Sequence, residues 1–306
     1  MYKESLIAKT FILFIVLIVS ISLCSCGAQK KPMLNNTKDK QEEKEPPKEL
    51  EKLKKSVEKV EKSLQPLYDK AKMPPELLEE EITKKLEEEK KKGGEEGGEQ
   101  KKQGSEGSKT GEQQKKPAPE EIKKKMEQEL LKSMEDIKKD VLGLHEAWSA
   151  YEPKAVADLA SPTAVTDFEA SLNNLTASVE AKDVFESLVN TNELYKSLPD
   201  FYVLYKAKAP PEIDKLRYGV KKIKLSSDVK SYDRAKEGME YLNSTWSITK
   251  PKLKKNNLDI INKFEFAMTD LKTALEEQNS MIINAKSEVL LKIADEMEKA
   301  AEKEGS

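Results

Sequence analysis

The sequence predicts an all-α protein: an elongated helical bundle with a long C-terminal helix, preceded by a largely disordered tether that carries short helices. Three observations lead there. From residue 119 onward, apolar residues recur at three- and four-residue spacing, the period of one helix face. No stretch of that region shows the strict alternation of a half-buried strand. Proline-acid-aliphatic phrases punctuate the chain: PPKELEKL at Pro46, PPELLEEE at Pro74, PAPEEIKK at Pro117 and PPEIDKL at Pro210. Such phrases mark helix starts, because proline tolerates the first turn and early acids complement the helix dipole. The segments after them differ too much to form a repeat array.

Residues 1–25 read as a signal peptide. Lys3 and Lys9 precede FILFIVLIVSISL, an apolar run of signal-peptide length, about 7–15 residues. A membrane-spanning helix needs about 20 apolar residues. The run ends in LCSCG, which resembles a bacterial lipobox. Cys26 fits that pattern, with Leu23 three residues before it, small residues between and Gly27 after. Cys24 fits less well, because the large Leu23 would directly precede it. The resemblance implies a diacylglyceryl group on the Cys26 sulfur, cleavage before Cys26 and acylation of the new amine. Cys24 would leave with the signal. No other cysteine exists, so the mature chain would have no thiol or disulfide, and a C-x-C metal or redox site loses its partners. Each buried methylene contributes about 0.8 kcal/mol, and two or more lipid chains give a stable anchor.

Residues 26–47 form the lipidated N-terminus and a tether too polar to make a core. Residues 48–92 predict a charged helical stalk. Leu50, Leu53, Val57, Val60 and Leu64 make a narrow stripe on a helix otherwise rich in Lys and Glu. Pro66 is expected to disturb it. A second start at Pro74 carries Leu78, Ile82 and Leu86. The expected reading is a solvated helix or transient coiled coil within the stalk; the alternative is a self-association or partner-helix segment. Residues 93–118 are dominated by Gly, Ser, Gln, Glu and Lys with no aliphatic longer than alanine, the composition of a flexible linker.

Residues 119–306 predict the bundle domain, about 190 residues being enough to bury one core. The first helix carries Met126, Leu130, Met134, Ile137, Val141, Leu144 and Trp148, with Pro153 expected to end it. Val165, Phe168, Leu172 and Leu175 follow Pro162 on one face, continuing or restarting through Val184, Phe185, Leu188 and Leu194 until Pro199. Ile213, Leu216, Val220 and Ile223 come after Pro210-Pro211. A helix through Met239, Leu242 and Trp246 ends near Pro251. The last helix is the clearest. Phe264, Met268, Leu271, Leu275, Gln278, Ile282, Ala285 and Val289 alternate three and four apart, a heptad stripe in a helix of about 40 residues, near 60 Å at ~1.5 Å per residue. Gln278 is its only polar member. The stripe serves either as bundle core, the preferred reading, or as a homodimeric coiled coil. Leu271, Leu275, Ile282 and Val289 are its candidate self-association seam.

Composition narrows the function. Charged residues make up 36% of the chain, yet the formal net charge is only −2, so no global field favours nucleic acid. Of 54 basic residues only Arg217 and Arg234 are arginines, and lysine is the poorer bidentate reader of phosphates and bases. The single histidine, His145, lies in a helical stretch. There is no G-x-S-x-G elbow, no phosphate loop and no dinucleotide fingerprint. No cofactor or metal is expected, and no enzyme activity. The candidate binding segment is LPDFYVLYKAKAPPE, where Phe201, Tyr202 and Tyr205 crowd together with nearby Tyr195. Such aromatics either anchor an interface or plug the end of a bundle. Trp148 and Trp246 follow helical stripes and read as core.

The LCSCG motif, the lysine-dominated basic set, the Lys/Glu-rich tether and the cysteine-free helical domain are together similar to the plasmid-encoded surface lipoproteins of Borrelia spirochaetes, of the antigen or virulence-associated kind. That resemblance implies a helical domain displayed outside the outer membrane, binding host matrix, complement or vector proteins. No segment matches a known ligand-binding motif residue by residue. The expected function is thus an adhesin or immune-evasion antigen. The alternative is a periplasm-facing assembly lipoprotein, a homo-oligomer paired through the terminal heptads.

Overall fold

The computed structural model describes residues 44–93, 119–253 and 257–305. The expected signal peptide, Cys26, the tether up to residue 43 and the linker from residue 94 lie outside the described residues. Among the described residues there are nine α-helices and no strand, so the all-α bundle stands. In chain order they are α1 (Lys48–Ala71), α2 (Pro75–Gly93), α3 (Pro119–Ala157), α4 (Pro162–Glu180), α5 (Val184–Tyr202), α6 (Glu212–Asp228), α7 (Tyr232–Thr249), α8 (Leu258–Glu276) and α9 (Ser280–Gly305). A 3₁₀ turn, Lys250–Lys252, follows α7 and contains Pro251.

The helices build two cores. The first joins α1, α3, α4 and α5; the second joins α6, α7, α8 and α9. α6 packs on both α5 and α9 and sends Leu225 into the first core. The expected charged stalk is corrected here. Its stripe, Leu50, Leu53, Val57, Val60 and Leu64, is fully buried, with α1 lying between α3 and α5. Each such side chain contributes roughly 1.5–3 kcal/mol on burial, which no solvated helix would gain. Ion pairs set the direction: Lys154–Glu49 (2.7 Å) and Lys59–Asp140 (2.7 Å) make α1 antiparallel to α3. α2 rests on the first turns of α3, Ile82 against Ile122 with Leu78 and Met126 beside them.

The single terminal helix is also corrected. It is an antiparallel hairpin, α8 and α9, broken between Glu276 and Ser280. Gln278, the polar member of the stripe, turns the chain with φ 53°. The apolar face restarts in a new register: Ile283, Leu290, Ala294 and Met297 enter the second core, whereas Ile282 and Val289 remain exposed.

Helix ends elsewhere follow the same device. Leu159, Lys182 and Lys230 have φ between 56° and 64°. Each is followed by a residue whose N–H reaches back to the last turn, Ala160 to Ala155, Asp183 to Ser178 and Ser231 to Ser226, the Schellman closure. The prolines expected to interrupt do not: Pro66, Pro153 and Pro199 lie inside α1, α3 and α5. Buried neighbours on both sides, Leu64 with Tyr68, Tyr151 with Ala155, and Leu198 with Phe201, carry each helix past the lost hydrogen bond. α6 and α7 meet closely at Gly238, where a Cβ would sit 2.9 Å from Ile223 Cγ1. Asp183 caps α5, accepting from Glu186 N–H at 2.9 Å.

Candidate functional site

The aromatic candidates are not a surface. Tyr195, Phe201, Tyr202 and Tyr205 are all buried. Phe201 lies 5.5 Å from both Trp148 and Tyr151 and 5.8 Å from Phe168, ring centre to ring centre. Trp148 stacks on Phe168 at 4.5 Å. This is the end plug of the first core. The hydroxyls settle at its rim: Tyr205 donates to Asp158 (2.8 Å) and Tyr202 to Glu51 (3.0 Å). Burial, then the Glu51 carboxylate, pushes the Tyr202 hydroxyl far above its ordinary range. The segment ahead of α1 is pinned to the same end, Lys206 N–H donating to the Lys44 carbonyl at 2.8 Å.

Of the self-association candidates, Leu271 and Leu275 are buried in the second core, so the chain covers them itself. Ile282 and Val289 are exposed. The lipidation candidate Cys26 lies outside the described residues.

Sequence reasoning missed the charged group where the two cores meet. Asp214, on the first turn of α6, receives Lys54 Nζ of α1 at 2.7 Å and Arg217 Nη1 at 2.6 Å. Arg217 Nη2 then reaches Glu298 (2.6 Å) and Asp295 (2.8 Å) on α9. Burial alone would raise the Asp214 carboxyl, but Lys54 and Arg217 outweigh it and hold it below the usual carboxylate range. Burial alone would lower Lys54, and Asp214 with Glu298 reverses that. Both cations therefore stay charged although largely out of water. One sign pointed here: Arg217 is one of only two arginines and stands one turn after Asp214.

A cleft of ≈ 570 Å³ opens over this group. Lys54, Tyr202, Asp214 and Glu298 line it beneath the turn that holds Pro210 and Pro211. Its mouth carries both signs: Glu45, Glu51 and Glu302 against Lys55 and Lys208. A second cleft of ≈ 380 Å³ lies between α1, α5, α6 and α9, with Lys221, Lys224, Glu61 and Glu288 around a floor that includes Leu188. Its ions are paired, Lys221 with Glu61 at 2.6 Å and Lys224 with Glu288 at 2.5 Å.

No protein-family model, curated protein or solved structure matches this chain. What the first cleft can do is therefore read from its own chemistry. It offers ionic hydrogen bonds of both signs beside proline and alanine surface, which suits an extended peptide segment carrying mixed charge. Among the described residues, no group of His, Cys, Asp and Glu has the arrangement to hold a metal ion. His145 does not touch the cleft. Its Nε2 is 2.8 Å from Thr176 Oγ1. That hydroxyl already donates to the Leu172 carbonyl, so it accepts from the imidazole and the pair staples α3 to α4. Among the described residues, no helix is long and apolar enough to cross a membrane.

Proposed function

We propose that this chain is a lipid-anchored bacterial outer-membrane lipoprotein, displayed on the cell surface, whose paired helical bundles form a binding module for a host or vector protein. The observation that carries the reading is the LCSCG motif at the end of a basic and then apolar leader. It points to Cys26 as the lipidated residue and to the polar segment after it as the spacer. The mixed-charge cleft over Lys54 and Asp214 supports recognition by the folded part. Matrix and complement proteins are the partner class, following the likeness to spirochaete surface lipoproteins.

Fractionation of cells tests the anchor. Cys26→Ala should move the protein from the membrane to the soluble fraction, and Cys24→Ala should leave it on the membrane. Protease added to intact cells tests display: the full-length protein should disappear while a periplasmic control survives. Survival of both would overturn surface display. For binding, residues 44–306 should capture a protein from serum or matrix extract, and capture should weaken on Lys55→Glu together with Lys208→Glu. Those side chains are exposed at the cleft mouth, so thermal melting should not change.

A further inference from the structure

The α8–α9 hairpin has an outer face that neither core covers. Phe266 of α8 is 74% exposed, and Val289 and Ile282 of α9 are 47% and 37% exposed. Single exposed apolar residues are ordinary; what sets these apart is the pattern around them. On α8, Lys263, Phe266 and Asp270 fall at i, i+3 and i+7, one face of the helix. On α9, Ile282, Lys286, Val289 and Glu296 fall at i, i+4, i+7 and i+14, again one face. Two ion pairs bring these faces side by side, Lys263–Glu296 at 3.9 Å and Lys286–Asp270 at 2.6 Å. Phe266 and Val289 lie between the pairs.

The four charges form a checkerboard. Along α8 the signs run plus at Lys263, then minus at Asp270. Beside them on α9 stand minus at Glu296 and plus at Lys286. Consider a second copy laid face to face by a half-turn about an axis in the plane of this face. If the axis runs along the helices, Lys263 meets the partner's Glu296 and Asp270 meets the partner's Lys286. If it runs across them, Lys263 meets the partner's Asp270 and Glu296 meets the partner's Lys286. Every charge meets its opposite in both cases, with the apolar side chains brought together at the centre. A partner surface of one sign could not match this pattern, whereas a second copy matches it by symmetry, as an isologous dimer requires.

We propose that this outer face is a homodimer contact centred on Phe266 and Val289. It is distinct from the buried seam of Leu271 and Leu275, and it does not depend on the surface-display reading. The apolar patch is small, so the dimer is a weak one that forms at high local concentration. Two-dimensional confinement of anchored chains would supply such a concentration.

Sedimentation equilibrium of the full chain in detergent micelles, over a thousandfold dilution series, tests it. The wild type should pass from one chain per particle to two as concentration rises. Phe266→Lys and Val289→Lys should each move that transition at least tenfold upward in concentration. Asp270→Lys should weaken it too, because the new charge meets a lysine about either axis. Leu142→Lys, exposed on α3 of the first bundle, should leave it in place. Melting temperatures of the Phe266 and Val289 variants should match the wild type, which separates lost contact from lost fold. A wild type that stays monomeric throughout, or a dimer indifferent to all three face substitutions, would overturn the proposal.

Discussion

Asp214 is the residue on which the meeting of the two cores turns. It is nearly out of water and answers two cations on different helices. Removing it leaves Lys54 with Glu298 at 3.5 Å and Arg217 with Glu298 and Asp295, a loss of charged hydrogen bonds that costs roughly 1.5–3 kcal/mol. Asp214→Ala should therefore lower the free energy of unfolding by that amount, read as a lower urea midpoint at unchanged m. Its pH dependence has a definite sign. The Asp214 carboxyl is held below its ordinary value, and so is Asp228, where burial is outweighed by bonds from Asn284, Lys72 and Tyr68. Their stabilisation is complete above the unfolded carboxyl pKa, about 3.9, and is lost as pH falls through the lower folded values. Lys54 is shifted upward, so its share is lost only as pH rises above about 10.4. Melting temperature should be level near neutrality and fall below about pH 4, less steeply in Asp214→Asn. The turn residues offer a stabilising test. Gln278 holds φ 53° without being glycine, a conformation that costs an L-residue about 1–2 kcal/mol. Gln278→Gly should recover about 1 kcal/mol of this in thermal unfolding, less the extra entropy glycine brings to the unfolded chain.

At the scale of the element, helix faces and starts were legible and helix ends were not. Phe168, Leu172, Leu175 and Trp148 fall on the faces their spacing predicts, and α2, α3 and α4 begin at Pro75, Pro119 and Pro162. The usual stop sign, a glycine past the last turn, is missing at Leu159, Lys182, Lys230 and Gln278, so the continuous heptad stripe concealed a reversal. Proline misled in the other direction, because a buried helix can bridge one lost hydrogen bond. α1 shows the limit of composition. A narrow stripe among lysines and glutamates describes a solvated helix as well as one whose polar flanks reach ion partners on α3, α6 and α9. Leu53→Ala should settle its weight: as a fully buried side chain it should cost about 2–5 kcal/mol, against almost nothing for a residue in a stalk.

The molecule as a whole is divided at a place the composition does not mark. The linker ending at residue 118 separates two helical stretches in sequence, yet α1 and α3 from either side of it share one core. A chain beginning at residue 119 would lack α1, which packs on both α3 and α5, and would leave their shared core open on that side. It should melt broadly and bind hydrophobic dyes, whereas residues 44–306 should unfold sharply, as scanning calorimetry can show. The charged site was hidden for the same reason: Lys54 and Asp214 stand 160 residues apart, and only the folding-back of α1 joins them. That folding-back has a mechanical side. Tension arriving from the N-terminal segment enters at Lys44, held by the Lys206 N–H and by Asp158 at 3.0 Å, and passes straight into the end of α1. Leu50 stands first in line for that load, ahead of Leu53 and Val57. A pull applied to the chain ahead of Lys44 would thus reach one helix of the first core before any other element.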